Sequence, residues 1–233
     1  MLKRYKDRKV ANSVTQSGNQ NIANSFGLPA GKEFSCPGQT DFCGSICYAG
    51  KLEKVYKGVK ASLLHNWNLL KDASFDRQVE LLHSMVTEFV AECNRKNADK
   101  VFRIHWDGDF FSTEYTRAWK VVIANHSDVQ FWVYTRVLAS AMLLKMADLP
   151  NLGLYFSADD DNLHFAEVAQ NKGINIAYVG KTFAQGKEVF PKAAKCPENN
   201  KAIPLISEKG SACKVCGLCI NGRKDVLFSA SKK

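Results

Sequence analysis

The chain of 233 residues is 45% hydrophobic and 24% charged, which is enough apolar material for one domain with a buried core and excludes wholesale disorder. Its net charge of +9 favours an anionic partner such as nucleic acid or a phosphorylated small molecule, although a basic surface without that role fits equally well. No stretch reaches the roughly 18 apolar residues that span a bilayer, and no apolar segment follows the basic start, so we expect a cytoplasmic protein without a membrane partner.

Residues 1–30 are polar and show no hydrophobic period, so we predict an N-terminal arm or an irregular lid there. A cysteine-bearing loop follows. Apolar residues at helical spacing then predict two helices, around residues 63–70 and 79–93. Cys93 falls on the apolar face of the second helix, which indicates a buried small hydrophobic residue rather than a reactive thiol.

From residue 101 onward the pattern alternates between strand and helix. We predict strands at residues 101–106, 129–135, 152–156 and 174–179, separated by helices at residues 113–124, 139–146 and 163–171. Single helices between short strands indicate βαβ units and a parallel sheet. Two further strands, near residues 31–35 and 202–206, would bring the total to about six.

Polar side chains occupy alternate positions of the predicted strands. The three strands contribute Arg103, His105 and Asp107, then Gln130, Trp132, Tyr134 and Arg136, then Tyr155, Ser157 and Asp159. Strands of a parallel sheet that is covered on both faces should be apolar nearly throughout. We therefore predict that the sheet curls toward a barrel with a polar interior and an active site at the C-terminal ends of its strands. The alternative is an open sheet with one solvent-exposed face.

Eight cysteines in a reducing compartment indicate metal binding or catalysis rather than disulfides. Three of them form the loop motif Cys36-x6-Cys43-x3-Cys47. Three thiolates on a 4Fe–4S cluster leave one iron open to a substrate or cofactor. A zinc ion would need a fourth ligand, for which His65 is the nearest candidate.

A second group of cysteines lies near the C-terminus. Cys196 is followed directly by Pro197, and the run Cys213-x2-Cys216-x2-Cys219 comes later in a turn-rich segment. Two adjacent C-x2-C steps resemble a ferredoxin-like ligand run. A zinc site with four thiolates is the alternative, because zinc also accepts four closely spaced cysteines.

Charged residues follow two neighbouring strands. Asp107, Gly108 and Asp109 end the first strand, and such carboxylates can accept from an ammonium group, act as acid or base, or bind a metal. Arg136 ends the next strand, where it suits a carboxylate or phosphate ligand. The alternative for Arg136 is an internal salt bridge with one of the two aspartates.

Together these features resemble the radical SAM superfamily. The resemblance implies an α/β fold with a partial (β/α)6 barrel of parallel strands over residues 31–195, preceded by the arm at residues 1–30 and followed by a cysteine-rich, cluster-binding segment at residues 196–233. It implies a 4Fe–4S cluster on Cys36, Cys43 and Cys47 and an auxiliary cluster on the other four cysteines. It also implies a site for S-adenosylmethionine, with candidate residues Tyr48, Asp107, Gly108, Asp109, Arg136 and Ser157.

More narrowly, the segments C-P-x5-C-x3-C-Y-A, G-D-F-F-S and Y-T-R resemble a bacteriophage family, the gene-product-88-like proteins, over most of residues 30–220. That second resemblance implies no particular reaction. The loop departs from the C-x3-C-x2-C spacing of the superfamily, and Ile46 replaces the aromatic residue usual before the last cysteine, with Tyr48 just after it. The loop therefore holds the cofactor differently, or holds a cluster that does not bind it.

The leading hypothesis is a radical SAM-like enzyme that cleaves S-adenosylmethionine reductively, using an electron donor, and abstracts hydrogen from an unknown anionic or nucleic-acid-related substrate. Its candidate catalytic residues are His105, Asp109, Tyr134 and Asp159. One alternative is a zinc-containing barrel of the base-exchanging transglycosylase type, with Asp107 or Asp109 as nucleophile. Another is a non-catalytic zinc-ribbon protein that binds nucleic acid. If the gene belongs to a phage, we expect the protein in the host cytoplasm.

Overall fold

The computed structural model describes residues 1–10 and 22–231, in which most strands are joined through helices. The strands are β1 (Ser25–Gly27), β2 (Val101–Asp107), β3 (Gln130–Thr135), β4 (Leu152–Ala158), β5 (Asn175–Gly180), β6 (Ala194–Lys195), β7 (Ile206–Ser207), β8 (Gly210–Ser211) and β9 (Val226–Ser229). The helices are α1 (Asp41–Ile46), α2 (Tyr48–Val55), α3 (Lys57–Leu70), α4 (Phe75–Lys96), α5 (Thr113–Asn125), α6 (Leu138–Met146), α7 (Leu163–Asn171), α8 (Phe183–Val189) and α9 (Ala212–Cys216).

Seven strands form one sheet in the order β1-β2-β3-β4-β5-β9-β6, and every pairing in it is parallel. The predicted α/β class with a parallel sheet is thereby confirmed. Strands β1 and β6 are the two edges and are not paired with each other, so the sheet that the structure describes is open rather than a closed barrel. The last strand of the chain, β9, lies inside the sheet between β5 and β6.

Two of the six predicted strands are wrong. Residues 31–35 form a turn, because Gly31 has a φ of 117° and its carbonyl accepts from the amides of Phe34 and Cys36 at 3.1 and 3.0 Å. Residues 202–206 begin with another turn, in which the amides of Ala202 and Ile203 bond to one carbonyl five and six residues back, at 2.8 and 3.1 Å. The sheet is completed instead by β1, inside the segment predicted as an arm, and by β6 and β9.

Local capping explains why the other predicted elements agree with the structure. Ser112 precedes α5 and its hydroxyl accepts from the amide of Tyr115 at 3.1 Å, which satisfies one of the unpaired donors of the first turn. Gly173 follows α7 with a φ of 70°, a left-handed conformation that stops the helix. The predicted helix at residues 163–171 therefore coincides with α7.

The two faces of the sheet have different surroundings. One face carries apolar side chains that pack with the helices in the main core, including Phe102, Ile104, Phe131, Val133 and Phe156. The residues between them on the same strands point to the opposite face, where a cavity lies. In the described part of the chain, no helix is long and apolar enough to cross a membrane.

Candidate metal and cofactor site

A cavity of about 560 Å³ lies on the face of the sheet opposite the main core. Its wall includes side chains predicted from the strand alternation, namely Arg103, Trp132, Tyr134, Arg136 and Ser157. It also includes all seven cysteines that the sequence singles out as ligands: Cys36, Cys43, Cys47, Cys196, Cys213, Cys216 and Cys219. The fold therefore brings two cysteine motifs, separated by about 150 residues of sequence, onto one cavity.

The loop thiol group (Cys36, Cys43 and Cys47) lies at the C-terminal ends of the strands. Thr40 caps α1, its hydroxyl accepting from the Cys43 amide at 3.0 Å and donating to Asp159 at 2.6 Å. The next helix, α2, begins at Cys47, whose sulfur accepts from the Gly50 amide at 3.3 Å. The loop is thus anchored to the end of β4, where ligand sites of parallel sheets are found.

The C-terminal thiol group (Cys196, Cys213, Cys216 and Cys219) lies near the opposite ends of the strands. At the start of β3, Gln130 donates to the carbonyl of Ile220 at 2.8 Å, and at the start of β5, Asn175 donates to the carbonyl of Gly222 at 2.7 Å. Near the start of β4, an added Cβ on Gly153 would lie 2.4 Å from the Cys219 carbonyl oxygen. The segment after α9 therefore runs across the N-terminal edge of the sheet, and the two thiol groups are at opposite ends of one cavity.

Burial raises the pKa of six of the seven thiols: Cys36, Cys43, Cys47, Cys196, Cys213 and Cys219, the last to about 11. The guanidinium of Arg136 opposes this at Cys43, and the charges of Lys9 and Arg103 oppose it at Cys213. A buried neutral thiol carries a proton, and a metal ion that binds the sulfur displaces that proton. All eight cysteines lie in the described residues, and none of them forms a disulfide.

The donor chemistry fits a metal centre, but the thiols do not converge on one point. Within residues 1–10 and 22–231, no three His, Cys, Asp or Glu side chains stand close enough to hold a single metal ion. A tetrahedral zinc ion, with Zn–S bonds near 2.3 Å, would require its sulfurs to be about 3.8 Å apart. A cluster binds each thiolate through a different iron, so it accepts sulfurs that are more widely separated. Among the described residues, the lack of a single-ion site therefore bears on a zinc ion rather than on a cluster.

Asp107 lines the cavity and also contacts another carboxyl group, that of Glu53. One of its oxygens accepts from the Gly108 amide at 2.9 Å, and the other is buried without a donor. Burial and the neighbouring carboxyl of Glu53, from α2, raise the pKa of Asp107. Glu53 is itself buried and accepts from the Ala30 amide at 2.8 Å. Two carboxyls in contact share a proton, so the pair links α2 to the end of β2 next to the loop thiol group.

Asp109 is occupied by hydrogen bonds within the protein. It accepts from the Thr135 hydroxyl at 2.6 Å and from the amides of Phe110 and Arg136 at 2.7 and 2.8 Å. Burial raises the pKa of its carboxyl to about 6, and these hydrogen bonds oppose the rise. With three donors on two oxygens, Asp109 ties the end of β2 to the end of β3.

Arg136 forms an internal ion pair, the alternative raised from the sequence, but with Asp159 rather than with Asp107 or Asp109. The guanidinium donates to the Asp159 carboxylate at 2.7 Å, and the two side chains are 8% and 0% exposed. Asp159 lies at the same end of the sheet because β3 and β4 are adjacent and in register, whereas the oxygens of Asp109 already accept three other hydrogen bonds. Arg136 also contacts the Cys43 thiol. The ion pair therefore supports the loop thiol group directly.

His105 does not follow the predicted alternation. It has a φ of 59°, uncommon for a residue other than glycine, and the pairing of β1 with β2 shifts register beside it. Its ring packs in the apolar core against Phe110 and Trp119, and its Nε2 is 2.9 Å from the hydroxyl of Tyr115. Burial lowers the pKa of His105 to about 3. His105 is also one of the residues that line the cavity, so the irregularity in β2 leaves this residue at the cavity wall while its ring packs into the core.

Three predicted site residues keep polar groups at the cavity. The Tyr134 hydroxyl contacts the Cys219 thiol, and burial raises the pKa of this tyrosine. Ser157, on β4, lines the same cavity. Tyr48 is half-exposed at the start of α2, and its hydroxyl donates to the Trp106 carbonyl at 3.0 Å.

Sequence reasoning missed several residues of the site. Glu53 carries no signal, because one acid in a short helix is ordinary helix composition. Lys9 and Asp7 belong to a segment predicted as an arm, yet the Cys213 amide donates to the Lys9 carbonyl at 3.0 Å and Asp7 forms an ion pair with Arg103. Of these residues, only Arg103 could be found from the sequence, because it is one of the alternating polar residues of β2.

Known proteins resemble this chain over the segments that form the site. The profile of the family described as "Gene product 88" matches residues 1–222, which is most of the chain and includes both thiol groups. The chain belongs to the gene product 88 family. It is 60% identical over 236 residues to the "Gene 88 protein" of Mycobacterium phage L5, covering 100% of this chain and 99% of the relative.

A second member of the gene product 88 family, the "Gene 88 protein" of Mycobacterium phage D29, is 59% identical over 237 residues, with the same coverage of both chains. No solved structure matches the chain. The narrower of the two resemblances noted in the sequence, to phage gene-product-88-like proteins, is thereby confirmed.

Proposed function

We propose that the protein is an iron–sulfur enzyme similar to the radical SAM enzymes, with its sheet serving as the wall of a partial barrel. The observation that carries the proposal is that seven cysteines line a single cavity, in groups of three and four at its opposite ends. A group of three thiolates suits a 4Fe–4S cluster with one open iron, and a group of four suits a fully ligated cluster. The loop thiol group also occupies the end of the parallel strands at which cofactors bind.

In this proposal Cys36, Cys43 and Cys47 hold the first cluster. When bound, such a cluster supplies an open coordination site for S-adenosylmethionine and the electron for its reductive cleavage. The protein's own task is to hold the loop still and to exclude water. The Arg136–Asp159 ion pair and the hydrogen bond from Thr40 anchor the loop from the side of β4.

The acids after β2 fit positioning roles better than proton transfer. Asp109 has its oxygens filled by three donors, and Asp159 accepts from both Thr40 and Arg136. Ser157 and Tyr134 face the cavity and remain the better candidates for contact with cofactor and substrate. Asp107 would bind an ammonium group only after exchanging its contact with Glu53.

The partners remain those that the charge suggests. A net charge of +9 favours an anionic substrate, such as a nucleotide or a nucleic acid, and reductive cleavage requires an electron donor. Because the relatives belong to bacteriophages, we propose the cytoplasm of the bacterial host as the place of action.

The test is metal analysis of anaerobically prepared protein followed by a cleavage assay. We expect about eight iron atoms per chain for two clusters, and about four after Cys36, Cys43 and Cys47 are replaced by serine. With dithionite and S-adenosylmethionine, the unaltered protein should form 5′-deoxyadenosine and the triple variant should not. Cys93→Ala is the matched control, because Cys93 is buried in the main core away from the cavity.

Other outcomes would favour the alternatives. A colourless protein that contains zinc and forms no 5′-deoxyadenosine would refute the iron–sulfur proposal and favour the zinc barrel of the transglycosylase type. Salt-sensitive binding to nucleic acid that survives replacement of Ser157 and Tyr134 would favour a non-catalytic binder.

A further inference from the structure

Residues of the N-terminal segment lie against the C-terminal thiol group. The Cys213 amide donates to the Lys9 carbonyl at 3.0 Å, so the backbone at Lys9 is fixed beside this ligand candidate. The Lys9 ammonium lies 2.8 Å from a carboxylate oxygen of Glu198, two residues after Cys196. Asp7, two residues earlier, pairs with the buried Arg103 of β2. Residues 7–9 therefore bridge β2 and the segment that follows β6.

This arrangement places two cations at the C-terminal thiol group. Lys9 and Arg103 line the same cavity as the four cysteines. Their charges oppose the rise that burial causes in the thiol pKa values, Lys9 at Cys196 and Cys213 and Arg103 at Cys213 and Cys219. Each cation forms an ion pair with an acid, Glu198 for Lys9 and Asp7 for Arg103, and the charge of Arg103 also opposes the rise in the pKa of Asp107. The four charged side chains are therefore balanced among themselves while the thiols are neutral.

Metal binding would change that balance. Four thiolates together with a zinc ion, or with an oxidised 4Fe–4S core, carry a net charge of about −2. A buried net charge is unfavourable unless opposite charges stand next to it. Lys9 and Arg103 are two such charges, and they supply about the amount that the metal-bound group needs.

We propose that Lys9 and Arg103 are positioning residues of the C-terminal metal centre, and that the N-terminal segment is part of that site because it stabilises the metal-bound thiolates. The inference rests on the metal centre of the proposed function, but neither on S-adenosylmethionine nor on which metal is bound. Lys9 is the more useful residue to test, because its side chain is 36% exposed, and we expect its replacement to leave the core intact.

The experiment measures metal release to a chelator from the full-length protein. A background with Cys36, Cys43 and Cys47 replaced by serine confines the metal to the C-terminal group, where iron and zinc are measured separately. In that background, Lys9→Met removes the charge and keeps the aliphatic stem. Lys6→Met is the matched control, since Lys6 is an exposed lysine of the same segment. Glu198→Gln breaks the same salt bridge from the other side while leaving the lysine charge in place.

We expect Lys9→Met to weaken metal retention by about 10–100-fold, the usual effect of losing an outer partner of a metal site. Lys6→Met should behave as the background, and Glu198→Gln should retain metal equally well or better, because it removes a negative charge. Circular dichroism should show the same helix and strand content in all variants.

Two results would overturn the inference. Equal metal release from Lys9→Met and Lys6→Met would show that the charge has no effect on the centre. Equal losses from Lys9→Met and Glu198→Gln would show that the salt bridge acts only as a structural link. If the triple-serine background binds neither iron nor zinc, the inference fails with its site, whereas formation of 5′-deoxyadenosine by the unaltered protein reports on the loop thiol group separately.

Discussion

The buried imidazole of His105 should make a contribution to stability that is lost in acid, opposite in sign to the contributions of Asp107 and Asp109, whose pKa values are raised. The His105 side chain is 4% exposed and packs among aromatic rings, and burial lowers its pKa from 6.5 to about 3. In the unfolded chain the imidazole gains a proton below about pH 6.5, whereas in the folded protein it stays neutral. Because the unfolded state then binds more protons, the contribution of this group to the free energy of unfolding falls as the pH falls through this window.

The size of the effect follows from the two pKa values. Between about pH 7.5 and pH 5, linkage gives a loss of about 2 kcal/mol from this one group. Replacing the residue by Asn removes the titration and suits a φ of 59°, which asparagine tolerates better than most residues. His105→Asn should lower stability because ring contacts are lost, and the difference in the free energy of unfolding between it and the unaltered protein should shrink by about 2 kcal/mol from pH 7.5 to pH 5.

The assay is urea unfolding, followed by far-ultraviolet circular dichroism, at several pH values between about 5 and 7.5. His164→Asn is the matched control, because His164 is exposed on α7, and its profile should follow that of the unaltered protein. If the profile of His105→Asn is instead parallel to that of the unaltered protein, then His105 is not buried as a neutral group and the account of the irregular β2 strand is wrong.

Two further substitutions test the packing around the loop thiol group. Gly108→Ala should reduce the free energy of unfolding by about 2–4 kcal/mol, because φ is 81° and the added methyl would lie 2.4 Å from a hydroxyl and 2.8 Å from a backbone oxygen. Its control is Gly58→Ala, at an open helical position, which should be neutral or stabilising by up to about 1 kcal/mol. Asp159→Asn should cost about 3–5 kcal/mol because it leaves the Arg136 charge buried without its partner. The control Asp128→Asn removes a half-exposed ion pair and should cost under about 1 kcal/mol. Equal effects of Asp159→Asn and Asp128→Asn in urea unfolding would contradict the reading of a buried pair.

Local signals made much of the fold predictable. The helix α5 begins where a serine caps it, and α7 ends where a glycine stops it, so both were predicted within one or two residues. The short strands carried too little pattern to be recognised: β1 has three residues and β6 has two. The strand β9 has a clear apolar pattern, but its place between β5 and β6 depends on contacts that are distant in sequence.

The site was predictable in composition but not in its contacts. Spacing singled out seven cysteines that all line the cavity, and strand alternation singled out Tyr134, Arg136 and Ser157, which line it too; their roles there stay predictions. The pairing of Asp107 with Glu53 could not be read from the sequence, because it depends on how α2 packs against the end of β2. The reversed side chain of His105 could not either, since nothing local signals the register shift beside it.

The position of β9 inside the sheet also sets an order of events during synthesis of the chain. On the ribosome, β5 and β6 are made before β9. Because β9 lies between them, β6 can join the sheet only after residues 226–229 have been made. Strand β6 pairs only with β9 in the described sheet, and Cys196 follows β6 directly. Pairing with β9 therefore fixes the strand that leads into Cys196. Under the proposed function, the C-terminal thiol group would be complete for metal binding only after residues 226–229 have been made and have entered the sheet.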